Sequence, residues 1–230
     1  IPLSPAAAKM FAAACGASLA SGMEADAAII YNSNVDLGVQ IPGATESIYF
    51  DIDGNGTDDF RLFGVVSQSG ASAFATAQFG AADNGALGSN RIQSVDTGGF
   101  IGRLSGGDPI SAAQAFVATS SAFVARASTA GTGANFYGNW SVGQTGFVGL
   151  EFRDSSNEIH YGWARIELIS LSVSGGSPTT SFRIVDAAYE STPGASINAG
   201  QTVIPEPSSL GMLAMGAAGL CALRRRRKTA

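Results

Sequence analysis

The feature that most constrains the fold of this chain is an alternation that runs, with one polar interruption, from Gly146 to Val173. In GFVGLEFR, residues Gly146 to Arg153, the apolar side chains Val148, Leu150 and Phe152 recur at every second position. That spacing puts them on one face of a β-strand and would scatter them around a helix. Asp154 to Glu158 supplies a polar turn, and IHYGWARIELISLSV, Ile159 to Val173, resumes the alternation. Two such runs joined by a short turn predict a hairpin. Shorter candidate strands are Ala28 to Tyr31, Ser47 to Ile52, Phe60 to Val66, Phe100 to Leu104 and Phe182 to Ala188, set apart by Gly, Ser, Asn and Asp. Many short strands at this spacing point to an all-β single domain, a β-sandwich or a jelly roll. Between Ser111 and Ala127, Phe116, Val117, Phe123 and Val124 recur near helical spacing behind Asp108-Pro109, which predicts one helix. The Gly-, Ser- and Ala-rich stretch from Ser67 to Asn90 is expected to form long loops or weak edge strands. A similar stretch from Ser191 to Thr202 is expected to be a tether leaving the domain.

The two ends differ from the middle. Lys9 precedes an apolar, small-residue run from Met10 to Ala20, and Ala25-Asp26-Ala27 fits a small-x-small cleavage pattern. Residues 1–27 therefore read as a secretory signal whose start is truncated, leaving Ala28 as the mature N-terminus. Cys15 within the run raises a lipoprotein reading, against which Ala12 stands where a larger apolar residue is usual. At the other end Pro205-Glu206-Pro207 is followed by 16 uncharged residues, 208–223, and then by Arg224, Arg225, Arg226, Arg227 and Lys228. As a helix those 16 residues span about 24 Å, short for a bilayer but workable with snorkelling arginines. The basic tail 224–228 fixes the orientation, cations in the cytoplasm and the domain outside. The expected order is a signal helix (1–27), an all-β extracytoplasmic domain (28–190), a tether (191–202) and a C-terminal sorting segment (203–230) containing a transmembrane helix.

Between Ala28 and Val203 the chain holds 15 acidic side chains, 7 arginines and no lysine, an excess of 8 negative charges. Such a domain has no general attraction for phosphate, so nucleic acid is not expected as a partner. Both cysteines fall outside this stretch, and roughly 176 residues can bury a core without disulfides.

The ordered elements at the C-terminus resemble the PEP-CTERM sorting signal of exopolysaccharide-producing Gram-negative bacteria: Pro205-Glu206-Pro207 before two serines, a short glycine-containing apolar helix, and an arginine cluster. The resemblance implies a precursor held in the inner membrane until an exosortase, a membrane-bound transpeptidase-like enzyme, recognises Pro205, Glu206 and Pro207 and removes the tail. It further implies a destination at the cell surface or in an exopolysaccharide or biofilm matrix. Two prolines suit the recognition role because they keep a peptide extended. The segments Asp51 to Gly56, Tyr161 to Arg165 and Ala188 to Glu190 also resemble pieces of exported proteins with this tail. For that group the resemblance implies a secreted β domain and no catalytic residue.

The sharpest chemical motif is DIDGNGTDD, Asp51 to Asp59. Side chains of Asp51, Asp53 and Asn55, the Thr57 carbonyl and the Asp59 carboxylate could wrap one Ca2+, with Gly54 and Gly56 allowing the tight turn. The spacing resembles EF-hand-like and extracellular β-propeller calcium loops, but Leu62 stands where a bidentate Glu would, and the flanks read as strands. A weak extracellular-type site or an Asx-rich turn without metal both fit. Glu151, Glu158, Glu167, Asp186 and Glu190 could supply a glycosidase pair, though on alternating strands they read as a solvated face paired with Arg153 and Arg165. His160, the sole histidine, is expected to face solvent from a strand. Tyr137, Trp140, Tyr161 and Trp163 could form an aromatic platform for sugar rings or could be core. No assembled catalytic constellation appears, so the expectation is an exported, non-enzymatic structural or adhesive protein, with a carbohydrate-binding module as the alternative and a glycan-active enzyme as the third reading.

Overall fold

The computed structural model describes residues 28–42, 45–82, 90–130, 133–174 and 177–203. The expected signal helix and transmembrane helix lie outside them, and among the described residues no helix is long and apolar enough to cross a membrane. What is described is all-β. The strands in the first half are β1 (Ile29–Asn32), β2 (Leu37–Pro42), β3 (Thr45–Phe50), β4 (Phe60–Ser69), β5 (Ser72–Ala81), β6 (Arg91–Gln93) and β7 (Pro109–Ile110). Those in the second are β8 (Phe116–Val117), β9 (Ala122–Ala130), β10 (Gly133–Tyr137), β11 (Thr145–Arg153), β12 (Ile159–Ser172), β13 (Thr179–Glu190) and β14 (Ile197–Asn198).

They form a seven-stranded sheet in the order β1-β13-β12-β11-β6-β8, with β2 also on β13, and a five-stranded sheet in the order β10-β9-β5-β4-β3. All strand pairings in the two are antiparallel. The hairpin read from alternation is the β11–β12 pair, Arg153 opposite Ile159, with Val148, Leu150 and Phe152 all buried. Their face joins Phe60, Leu62, Ala75, Ala77 and Phe79 of the five-stranded sheet and Ile166, Leu168, Phe182 and Ile184 of the seven-stranded one in a single apolar cluster. The two sheets are therefore layers around one core, the arrangement that lets two half-apolar sheets leave water together.

Four sequence expectations are overturned. The segment from Ser111 to Ala127 holds β8 and the first part of β9 instead of a helix. The cause is a β-bulge: the β5–β9 register slips between Ala77 and Gln78, so Ala122, Val124, Ala125 and Ala127 are buried at spacings of two, one and two. A bulge resets strand parity and so imitates the i, i+3 signature of a helix. The stretch from Ser67 to Asn90 contains the end of β4 and all of β5, the central strand of its sheet, where small side chains fit between bulky neighbours. A Cβ on Gly80 would sit 2.1 Å from the carbonyl oxygen of Ser120. Finally, the expected tether from Ser191 to Thr202 is part of the domain. Its β14 pairs with β7, Ile197 opposite Ile110, and Ile197 is 1% exposed. This two-stranded layer lies over the outer face of the seven-stranded sheet and closes a second apolar cluster of Leu104, Ile110, Tyr161, Trp163, Ala188, Ile197 and Ala199. Phe100 to Leu104 forms no strand and contributes isolated bridges, Leu104 to Phe147 among them.

Candidate functional site

The loop from Asp51 to Asp59 joins β3 to β4, so strands flank it on both sides. The Asp59 amide donates to the Phe50 carbonyl at 3.0 Å, which closes the base of the loop. Inside, the turn is organised by carboxylates accepting backbone amides, a standard use of aspartate in turns. Asp51 Oδ1 accepts from Gly54 N and Oδ2 from Gly56 N, both at 2.7 Å. Those amides reach it because Gly54 and Gly56 adopt φ of 74° and 87°, a region unfavourable to side-chain-bearing residues. Asn55 Oδ1 accepts from Thr57 N at 2.7 Å, while Asn55 Nδ2 donates to Asp53 Oδ2 at 2.8 Å.

Asp51, Asp53 and Asp59 each present an oxygen within 4.8 Å of the others, close enough to share one cation. Asn55 and Thr57 sit on the exposed rim of the same turn. Asp59 is 3% exposed, with Oδ2 accepting from Ile52 N at 3.1 Å and Oδ1 from Asn90 Nδ2 at 3.2 Å. Burial pushes its carboxyl up to about 7, against the amide of Ile52 and with the negative charges of Asp53 and Asp51 adding to the rise. Burial also raises Asp53, with Asp51 reinforcing the effect. Crowding three carboxylates so that two resist ionisation is what a bound cation relieves. Each carboxylate oxygen that accepts one amide keeps a second lone pair, so the donor set fits a hard cation.

Asn90 escaped notice in the sequence. It donates to both the backbone and the side chain of Asp59 and accepts from Arg153 N at 3.2 Å, tying the loop to β11. Nothing local marks it, since its partners lie 31 and 63 residues away.

The other candidates are placed differently from expectation. Trp163, 1% exposed, is sealed in the second cluster with its Nε1 donating to the Gln201 carbonyl at 3.0 Å, and Tyr161 packs there against Phe116. Trp140 lies in the main core and donates to the Ile101 carbonyl. Tyr137, 48% exposed, stands apart from all three on β10. The four therefore make no platform, because the seven-stranded sheet's outer face is covered where Tyr161 and Trp163 emerge.

His160 is buried instead of solvent-facing, and since a carbonyl can only accept, its Nδ1 carries the proton shared with Glu190 O at 2.9 Å. Its Nε2 lies 3.6 Å from Asp154. Of the five acids read as a solvated face, Glu158 is exposed and the other four are held by cations or backbone: Asp186 is gripped by Arg165 at 2.8 and 2.6 Å and by the Tyr31 hydroxyl at 2.8 Å. That hydrogen bond to Asp186 raises the Tyr31 phenol. Glu167 pairs with Arg183 at 2.9 Å, Glu151 with Arg91 at 3.3 Å, and Glu190 accepts from Thr192 N.

The sorting residues Pro205, Glu206, Pro207 and Arg224 to Arg227 lie outside the described residues. No curated protein and no solved structure matches the chain. One family model does: residues 203–228 match the PEP-CTERM protein-sorting motif, and the chain thus carries the signal of an exported, membrane-anchored precursor that exosortase processes.

Proposed function

We propose that the chain is an exported, non-enzymatic β-sandwich protein, structural or adhesive, that reaches the cell surface or exopolysaccharide matrix after exosortase removes its tail. The observation that carries this reading is the sorting motif at 203–228. The domain it follows supports the non-enzymatic part, because Glu151, Glu167 and Asp186 are each committed to an arginine. In an exosortase-bearing host, Glu206→Ala should leave the precursor at full length in the inner membrane, while the unaltered chain appears shortened at the surface. Equal shortening of both forms, read by immunoblot of the fractions, would overturn the reading.

The loop from Asp51 to Asp59 belongs to this proposal as a structural Ca2+ site. Asp51, Asp53 and Asp59 would hold the ion, with Asn55 and the Thr57 carbonyl as further oxygen donors. Bound Ca2+ would neutralise the crowded carboxylates and lock the β3–β4 connection. Without a bidentate Glu at Leu62 the affinity belongs on the order of 10⁻⁴ to 10⁻³ M, the range of extracellular modules. Calorimetric titration of the chain with CaCl₂ should show saturable binding that raises the melting temperature and disappears in Asp53→Ala. No heat and no stabilisation would reduce the loop to an Asx turn.

A further inference from the structure

Among the described residues the outer face of the five-stranded sheet differs from that of the seven-stranded sheet in its covering and in its side chains. Its strands β3, β4, β5, β9 and β10 contain two arginines, Arg61 and Arg126, and one carboxylate, Glu46, which lies opposite Gly64 on the inner side. The described strands of this face therefore present no carboxylate outward, in a domain with an excess of 8 negative charges. No layer like β7–β14 covers it among the described residues.

Across it runs a groove of about 180 Å³ lined by Val65, Phe74, Thr76, Gln78, Phe123 and Arg126. In register, Tyr137, Arg126, Thr76, Val65 and Thr45 stand side by side on the five strands. At the usual strand spacing that row is about 19 Å long. The lining is almost wholly apolar, because the polar ends of Thr76 and Gln78 are buried against each other, Gln78 Nε2 donating to Thr76 Oγ1 at 2.8 Å. The walls are aromatic, with Phe74 37% exposed. Arg126 stands exposed at the rim, and among the described residues no aspartate or glutamate pairs with it. The β9 bulge helps form the groove, since it brings Phe123 opposite Gln78 one residue out of step with Arg126 opposite Thr76.

We propose that this groove binds an acidic polysaccharide, a chain of uronate-type sugars crossing the strands, with a ring against Phe74 and Phe123 and its carboxylate on Arg126. The proposal rests on the reading of a surface or matrix protein and gives that protein a ligand class. Aromatic faces take the apolar side of a sugar ring, and a guanidinium meets a carboxylate bidentately. The groove is smaller than the roughly 300 to 1,000 Å³ of clefts that enclose a small molecule. That size suits one ring of a polymer whose remainder lies along the open sheet.

The test uses the full chain in a non-glycosidic detergent, titrated with an oligomannuronate hexamer, with cellohexaose as the neutral probe and hexaglutamate as an acidic peptide. The hexauronate should bind saturably, and Arg126→Gln and Phe74→Ala should each weaken it about tenfold or more, the scale of one charge-assisted or stacking contact. Arg183→Gln, which removes the same charge from the other sheet, should change affinity less than about twofold. Thermal melts establish that the variants fold, as both groove side chains are solvent-accessible. Absence of hexauronate binding, equal losses in Arg126→Gln and Arg183→Gln, equal affinity for cellohexaose, or tighter binding of hexaglutamate would each overturn the proposal. Processing and surface delivery are read separately by fractionation, so a chain that is sorted correctly but binds no hexauronate refutes the groove alone.

Discussion

Asp59 concentrates the tension of the β3–β4 loop in one side chain. Its carboxyl keeps a proton to about pH 7 in the folded state, against a value of 3.8 for an unperturbed aspartate. Between those limits the folded state binds more protons than the unfolded one, so this group's contribution to stability falls as pH rises and levels off above pH 7. In chelator, the melting temperature of the unaltered chain relative to Asp59→Asn should therefore drop between pH 4.5 and 7.5. Each kcal/mol of that linkage corresponds to about 2–4 °C for a domain of this size. Saturating Ca2+ should flatten the slope. A flat difference curve in chelator would show that Asp59 ionises without strain. The motif itself was fully legible in the sequence, because its residues are consecutive and turn chemistry is local. Its burial was not, because that depends on Asn90 and on strand β11 arriving from elsewhere in the chain.

At the scale of elements, legibility followed how far each strand kept to strict alternation. The β11–β12 hairpin and the long strand β13 were visible because large apolar residues such as Val148, Leu150, Phe152, Ile166, Leu168, Phe182 and Ile184 recur at inward positions. Strand β5 was hidden because its inward residues are mostly alanine, small enough to look like loop composition and necessary where Phe60, Phe79 and Phe152 fill the core. Strand β9 was misread through its bulge. The two-residue strand β14 was missed because two residues carry no periodicity at all. Yet it has weight: Ile197 is buried between β7 and the second cluster. Ile197→Ala should cost about 2–5 kcal/mol, the usual price of emptying a buried aliphatic site, and denaturant unfolding of the two forms measures it. A loss under about 0.5 kcal/mol would mean the β7–β14 layer does not stabilise the domain.

On the scale of the whole molecule, alternation reveals that a strand has two faces but not what covers each. Tyr161 and Trp163 point outward from their sheet, as a platform would require, and are then roofed by residues that the sequence presents as a tether. Among the described residues, outward-facing Phe74 and Arg126, from segments read as loop and helix, are exposed, with Phe123 half-buried beside them. Folding the supposed tether into the domain has a mechanical consequence as well. Gln201 is still clasped by Trp163, and the recognition tripeptide begins at Pro205. Extended chain reaches at most about 3.3–3.6 Å per residue, so Pro205 can stand no more than about 14 Å from that clasp. Few residues therefore separate the folded domain from the sorting motif that begins at 203. Inserting ten Gly and Ser residues between Thr202 and Val203 should hasten processing in pulse-chase, and an unchanged rate would mean that the domain stands clear of the enzyme. A domain that holds its own chain as far as Gln201 brings its covered sheet face, and no long spacer, up to the sorting motif.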